Sequence, residues 1–336
     1  MLIYNPFILL QVGFQLSYLA VLGIVYLQPK IYTLYKSNNW ILEKTWAITA
    51  VSISAQIATF PLGMYYFHQF PNYFLLSNLF VIPLATFIIG LGIFLFISNL
   101  FLPLNNLIAF LLTKLLVFLN FSVDLVQSLP YSLTIGISIS QLETILIYLI
   151  ILMIISALIK SNFKSVKFAF VLSIILVSYQ IYEKVTFQNQ QYFIVYDVKG
   201  EQAIDFVDGN NNYFIANANL ANDQSKMLFH IMHFRWERRV QEATLVPLVF
   251  KSRNYFKNDN FIQFYDKKIL LYDKGFKKPI SPLVFDYIIA SSNINVDLKN
   301  IKCKQLIIAS SVSKYNREQI KKECLKWDIP FYDVST

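Results

Sequence analysis

Six apolar stretches follow one another through the first half of the chain. About 20 predominantly apolar residues in an α-helix span the hydrocarbon core of a bilayer. The pattern therefore predicts six transmembrane helices, at residues 8–28, 45–67, 73–98, 107–128, 141–159 and 165–183. Pro61 and Pro83 fall inside the second and third stretches. Because proline lacks an N–H, it predicts a kink or a break at both positions.

Two rows of polar side chains, each spaced to lie along one face of a helix, interrupt the first two stretches. They are Gln11, Gln15 and Tyr18 in the first, and Ser52, Gln56, Thr59 and Gly63 in the second. Such rows gain nothing from facing lipid, because each polar group without a partner costs about 2–7 kcal/mol to desolvate. We therefore expect both rows to face other protein or a wet path.

The fourth stretch contains a polar row of its own, at Thr113, Asn120, Asp124 and Gln127. It either spans the membrane with that row facing protein, or lies flat on the membrane surface. The loops 29–44 and 160–167 each contain three lysines, and short Lys-rich loops face the cytoplasm. Both loops lie in the cytoplasm only if an even number of spans separates them, and this requires the fourth stretch to cross the membrane. We favour that arrangement, which places residues 185–336 outside the cytoplasm.

Composition divides the chain in the same place. Residues 1–184 contain eight lysines, no arginine and four acidic residues, whereas residues 185–336 contain 21 basic and 16 acidic residues. We predict a polytopic α-helical membrane domain at 1–184 and a soluble domain at 185–336. Alternating apolar residues at 192–198, 203–209 and 212–218 predict strands, and 315–327 predicts an amphipathic helix. An α+β or a layered α/β/α domain fits this order.

Patterns that would indicate catalysis or a metal site are sparse. His230 and His233 could share a metal at i, i+3, but nothing nearby completes a ligand set, so we favour a surface or packed pair. His68 could contact a substrate or cap the second helix, and we favour the cap. Cys303 and Cys324 could pair within a strand–helix unit, although two separate buried thiols are the favoured interpretation. No Gly-rich phosphate-binding motif is present and no cofactor is predicted.

Three motifs follow in order along the membrane half. They are NPFILLQVGFQLSYLAVLGIVYLQP (5–29), SISAQIATFPLGMYYFHQFP (52–71) and SNLFVIP (77–83). In order and spacing they resemble the membrane domain of ComEC competence proteins. The resemblance implies an inner-membrane channel through which single-stranded DNA enters a bacterial cell during natural transformation. Met1 falls inside this domain, so we expect the chain to correspond to the C-terminal part of a longer protein.

The soluble half resembles a degenerate form of the metallo-β-lactamase-like domain that often ends members of this family. The likeness rests on residues 192–206, 286–293 and 304–335. The HxHxDH metal signature is missing, and Ser291, Ser292 and Asn293 occupy positions where the resemblance leads us to expect histidines. Because two-metal hydrolysis needs several His and Asp ligands, we predict that the chain is not an enzyme.

The leading hypothesis is therefore a channel component for DNA uptake. Its candidate lining residues are Gln11, Gln15, Tyr18, Ser52, Gln56, Thr59, Asn78 and Pro83. The expected partners are single-stranded DNA, the lipid bilayer, other DNA-uptake proteins and a second copy of the chain. The polar rows have a second interpretation, in which they only hydrogen-bond neighbouring helices at roughly 0.6 kcal/mol each. Two other functions stay open: a membrane-tethered metallo-β-lactamase-like hydrolase, and a non-catalytic anchor for an extracytoplasmic binding module.

Overall fold

The computed structural model describes residues 5–98, 102–240, 243–273, 283–292 and 301–335. The chain divides into two compact units, Met1–Val177 and Ser178–Thr336, and each is described by itself. The predicted boundary at residue 184 falls inside the last long helix, which begins in the first unit and ends in the second.

Six long apolar helices, counted over the described residues, confirm the predicted architecture of a multi-pass membrane protein, and the last of them continues from the first unit into the second. They are α1 (Val12–Tyr32), α2 (Trp40–Phe67), α3 (Phe74–Ile97), α4 (Leu102–Gln127), α5 (Gln141–Lys160) and α6 (Phe163–Gln188). Each is long and apolar enough to cross a bilayer.

Local capping explains where the helices begin. The Asn39 side chain accepts a hydrogen bond from the backbone N–H of Ile41, so α2 begins at Trp40, five residues before the apolar pattern predicts. Ser140 and Glu143 form a capping box at the start of α5, where the prediction is correct. Gln11 lies before α1 with an extended backbone, after a short 3₁₀ turn at Pro6–Leu10. Gln11 therefore occupies the N-cap position of α1 without a side-chain capping hydrogen bond, and the expectation that it lies on a helical stripe is wrong.

The internal prolines do not interrupt their helices. Pro61 is buried within α2 and Pro83 lies within α3, and both helices continue on either side. A proline removes one backbone hydrogen bond from a helix of more than 20 residues. The remaining bonds and neighbouring protein are sufficient to continue it.

Two loops at one end of the first unit are joined by a small antiparallel sheet. Its strands are β1 (Gln69–Pro71), directly after α2, and β2 (Leu133–Ile135), shortly after α4. The Asn72 amide donates to the Tyr131 carbonyl at 2.7 Å and to the Thr134 hydroxyl at 2.9 Å. Helices α3 and α4 therefore leave this end of the unit and return to it. That path agrees with a fourth helix that spans rather than lies flat.

The described residues of the second unit form two sheets. The four-stranded sheet has the order β3 (Gln191–Val195), β4 (Ala203–Asp208), β5 (Asn211–Ala216) and β6 (Thr244–Leu245). The seven-stranded sheet contains β7 (Val249–Lys251), β8 (Tyr255–Asn258), β9 (Phe261–Phe264), β10 (Lys267–Tyr272), β11 (Leu283–Ala290), β12 (Ile301–Ile308) and β13 (Phe331–Asp333), in chain order across the sheet. Strands β7 to β10 pair antiparallel with their neighbours, and β10 to β13 pair in parallel, so β10 belongs to both parts.

Side chains alternate between the faces of these strands and build three apolar layers. Ile204 and Phe206 of β4 pack against Ile262 and Ile269 of the other sheet, so the two sheets stack face to face. Short helices α7 (Ala218–Asn222), α8 (Gln224–Met227) and α9 (His233–Glu237), the last two joined by a wide turn at Leu228–Met232, cover the four-stranded sheet. Helix α10 (Lys314–Lys326) covers the other.

The predicted α+β class is thus confirmed, with four layers where a layered α/β/α domain would have three. The sequence from Ser225 to about Glu242 predicts a single helix, whereas the structure divides residues 224–237 into the short segments described above.

Cys303 and Cys324 are both free thiols. They share the apolar layer beneath α10, where burial raises the pKa of Cys303 to about 11 and that of Cys324 to about 12. A nucleophilic cysteine needs a lowered pKa, so these thiols are packing residues.

Candidate functional site

Helices α1 and α2 approach each other closely at a glycine. A Cβ atom placed on Gly23 would lie 2.5 Å from the Cβ of Ala58 and 2.7 Å from the carbonyl oxygen of Ser54. Small residues of this kind let helix backbones come together in a membrane, where dispersion packing drives association. The hydroxyl of Ser54 donates to the carbonyl of Ala50 within its own helix, so the contact contains no unpartnered hydroxyl.

Gln15 joins the same two helices by hydrogen bonds. Its carbonyl oxygen accepts from the Tyr66 hydroxyl at 3.0 Å, and its amide nitrogen donates to the Leu9 carbonyl at 3.0 Å. Both polar ends of the side chain therefore have protein partners. Tyr18 stacks on Phe14 with ring centroids 4.1 Å apart and is 58% exposed.

A cavity of about 540 Å³ opens between α1, α2 and the two-stranded sheet. Gln56 and Thr59 form part of its polar wall, and the aromatic rings of Phe60 and Phe70 meet edge to face at 6.4 Å beside them. Thr59 donates its hydroxyl to the Ala55 carbonyl. The amide of Gln56 has no hydrogen-bond partner among the residues that the structure describes.

The other candidate lining residues lie elsewhere. Gln11 is exposed at the start of α1, and Ser52 is buried with its hydroxyl bonded to the Ile48 carbonyl. Asn78 and Pro83 are half-buried on α3, outside the lining of this cavity.

Residues Gln69, Phe70 and Leu133 complete the cavity wall and were not among the sequence candidates. They come from the two short strands, whose pairing joins positions more than 60 residues apart. His68 precedes them as the C-cap of α2, with a left-handed backbone and its Nδ1 2.9 Å from the Ile137 carbonyl oxygen. The favoured interpretation of His68 as a cap is correct.

The comparisons with known proteins follow the division into units. A family model described as "Competence protein" matches residues 1–162, and one described as "ComEC C-terminal domain" matches residues 193–336. The chain belongs to the ComEC family of competence proteins. It is also 31% identical over 87 residues to ComE operon protein 3 of Bacillus subtilis (strain 168). That segment is 26% of this chain and 10% of the relative, so the match spans a small part of the longer protein. No solved structure matches the chain.

The ComEC C-terminal domain has a polar edge where β11 and β12 end. Ser291 is 6% exposed, and its carbonyl accepts from the Ser311 hydroxyl at 2.7 Å. The Ser310 hydroxyl donates to Asp197, which follows β3. Asn293, which the resemblance also placed here, lies outside the described residues. Within the described ranges no group of three His, Cys, Asp or Glu side chains is placed to hold a metal ion.

Proposed function

We propose that this chain is the part of a ComEC channel through which single-stranded DNA crosses the bacterial cell membrane, and that Gln56 lines the path. The amide of Gln56, which lines the cavity and has no hydrogen-bond partner within the described ranges, carries the proposal. An amide offers a donor to phosphate and an acceptor to a base. Because it carries no charge, it replaces water around the strand without holding it as tightly as a cation would.

Aromatic rings at the cavity supply a second kind of contact. Phe60 and Phe70 present apolar faces beside Gln56, and unstacked bases gain about 1–3 kcal/mol each on such faces in other single-strand binders. Stacking tolerates any base sequence, which suits uptake of DNA of any origin.

The cavity opens toward the joined loops after α2 and α4. Helices of alternating direction put the Lys-rich loops 29–44 and 160–167 at the other end of the unit, and Lys-rich loops are cytoplasmic. We therefore assign the mouth of the cavity, and the C-terminal domain that follows α6, to the extracytoplasmic side. Other DNA-uptake proteins and a second copy of the chain are the proposed protein partners.

We assign no hydrolytic role to the C-terminal domain. Serines replace the expected histidines at the edge of β11, and the described residues offer no metal-ligand group. A hydrolase of the metallo-β-lactamase type depends on such ligands for its nucleophile.

The test replaces Gln56 by leucine in the chromosomal gene. We expect transformation frequency to fall about tenfold at normal membrane abundance, since about 1.4 kcal/mol of lost contact changes a rate by that factor. Gln56→Asn keeps the amide and should retain most of the activity. Frequency and abundance are measured together, by selection for a marker and by immunoblotting of membranes.

Gln15→Leu is the matched comparison, because its amide is already bonded to Tyr66. It should weaken the helix contact by roughly 0.6 kcal/mol and leave uptake per molecule within about twofold of the wild type. Equal transformation by Gln56→Leu and wild type, at equal abundance, would remove Gln56 from the path.

A further inference from the structure

A row of basic, aromatic and amide side chains crosses the antiparallel part of the seven-stranded sheet. Lys251 lies opposite Phe256, Phe256 opposite Gln263, and Gln263 opposite Lys268, on four successive strands. Directly opposed residues project from the same face of a sheet. These four residues form what we call the basic stripe. Lys251, Gln263 and Lys268 are exposed and Phe256 is half-buried.

The face that bears the basic stripe is covered only in part. Leu270 and Tyr272 follow Lys268 on the same face of β10 and pack in the layer beneath α10. The stripe continues this face outward to the edge strand β7. An apolar ring and an amide are therefore presented to solvent between two cations.

A concave site of about 600 Å³ adjoins the stripe at the turns between strands. Lys251, Phe256 and Gln263 line it together with Arg253 and Tyr265. A volume of this size is in the range of small-molecule sites and accommodates more than an isolated phosphate.

The wall of this site is fixed by hydrogen bonds to a neighbouring turn. Asp208 accepts from the Tyr265 hydroxyl at 2.5 Å and from the Asn254 amide at 3.0 Å. These bonds orient the Tyr265 ring before any ligand arrives. The phenol stays protonated, because burial and the hydrogen bond to Asp208 raise the pKa of Tyr265.

Two cationic side chains at the site are available to bind an anion. Neither Lys251 nor Arg253 makes an ion pair or a side-chain hydrogen bond within the described part of the chain. The carboxylates nearby are already engaged, Asp266 with Lys267 at 2.6 Å and Asp208 with its two donors. Two available cations beside engaged carboxylates favour a phosphate-bearing ligand.

The turn that holds the wall of the site also contacts the residues that follow α6, within the second unit. Gly209, the residue after Asp208, donates its N–H to the Gln190 carbonyl at 2.8 Å, and Gln190 donates back to Gly209. Gln190 follows the last residue of α6 by two positions. The turn at Asp208 and Gly209 is therefore hydrogen-bonded both to the wall of the concave site and to the residues that follow α6.

We propose that the basic stripe and its concave site bind single-stranded DNA, with Lys251 and Arg253 on phosphates and the Phe256 and Tyr265 rings against bases. The proposal rests on the DNA-uptake function and names the surface of the soluble unit that contacts the strand. Cations with aromatic rings and amides are the combination used by sequence-tolerant single-strand binders. A lipid headgroup would use the cations and leave the rings and the concave volume without a role.

The test measures binding of a fluorescent 15-nucleotide oligo(dT) to the purified full chain in an uncharged detergent. Lys251→Glu with Arg253→Glu should weaken binding at least tenfold. It should also reduce the slope of log affinity against log salt by about 1.4, since each phosphate contact to a single strand contributes about 0.7. Phe256→Leu keeps the charge and should weaken binding about three- to tenfold with an unchanged salt slope.

Lys199→Glu with Lys314→Glu is the control, since it makes the same change in net charge at exposed lysines on the opposite end of the sandwich. It should change affinity less than twofold. A larger loss in this control than in the stripe variant would move the binding surface to that end and overturn the proposal.

A second arm uses flotation with vesicles of zwitterionic lipid containing phosphatidylglycerol. Loss of vesicle binding in the stripe variant, with oligo(dT) affinity unchanged, would make the stripe a lipid-headgroup site instead. If oligo(dT) binding is unaffected while Gln56→Leu still lowers transformation, the stripe proposal fails and the channel proposal stands.

Discussion

Replacing Asp205 by alanine is expected to destabilise the soluble unit by about 3–5 kcal/mol, because it leaves a guanidinium buried without its counter-ion. Asp205 is 0% exposed and Arg235 is 4% exposed. Both Asp205 oxygens accept from Arg235 at 2.8 Å, one from Nε and one from an Nη atom. This geometry is the two-point pairing that suits a carboxylate and a guanidinium.

Two aromatic residues complete the environment of this ion pair. Tyr196 donates its hydroxyl to Asp205 at 2.7 Å, and the Arg235 guanidinium lies 4.3 Å from the centre of the Phe214 ring. Burial and the charge of Asp205 raise the pKa of Tyr196, so its hydroxyl stays a donor. The pair joins β4 to α9 and thereby fixes the helical layer on the four-stranded sheet.

The measurement is unfolding of the purified full chain in guanidinium chloride, monitored by tryptophan fluorescence. Trp236 is buried next to Arg235 and reports on this part of the fold. Asp205→Leu combined with Arg235→Met removes both charges and should recover most of the lost stability. Lys326→Ala removes an exposed lysine near Glu323 and should change stability by less than about 0.5 kcal/mol. If the single variant behaves like Lys326→Ala, the buried pair does not hold the layers together.

Sequence patterns were sufficient to predict the helices because each span is a local property. The six apolar runs need no distant partner, and the cap at Asn39, which the apolar pattern does not include, accounts for the earlier start of α2. The first helix shows the limit of this reasoning. A periodic polar row placed Gln11 on a helix that begins one residue after it. Periodicity indicates a shared face only after the helix start is known.

The candidate site depends on contacts that no local pattern contains. The cavity wall requires β1 to pair with β2, and the partner of Gln15 is Tyr66, 51 positions away. The amides of Gln15 and Gln56 are therefore equivalent in the sequence and different in the structure. One is bonded between helices, and the other lines a cavity and has no partner in the part of the chain that the structure describes. Sequence patterns likewise do not predict the Asp205–Arg235 pair, because its two residues are 30 positions apart.

Gly23→Ala tests the helix contact on which the cavity depends. The added methyl would meet Ala58 and the Ser54 carbonyl at distances that atoms do not tolerate, so α1 and α2 must move apart. Overpacking of this kind costs about 1–3 kcal/mol. We expect a lower melting temperature for the purified full chain and less protein in the membrane. Transformation should fall further than abundance does, because both helices contribute cavity walls.

Gly13→Ala is the matched control, made on the same helix with the same added methyl. A Cβ on Gly13 meets no atom within 4 Å. Alanine is also a better helix former than glycine by roughly 1 kcal/mol, so this variant should be as stable as the wild type or slightly more. Opposite changes in stability for these two glycine-to-alanine substitutions would show that the loss at Gly23 comes from contact with α2 and not from helix propensity. Equal stability of both variants would mean that the two helices do not touch at Gly23, and the cavity between them would lose its structural basis.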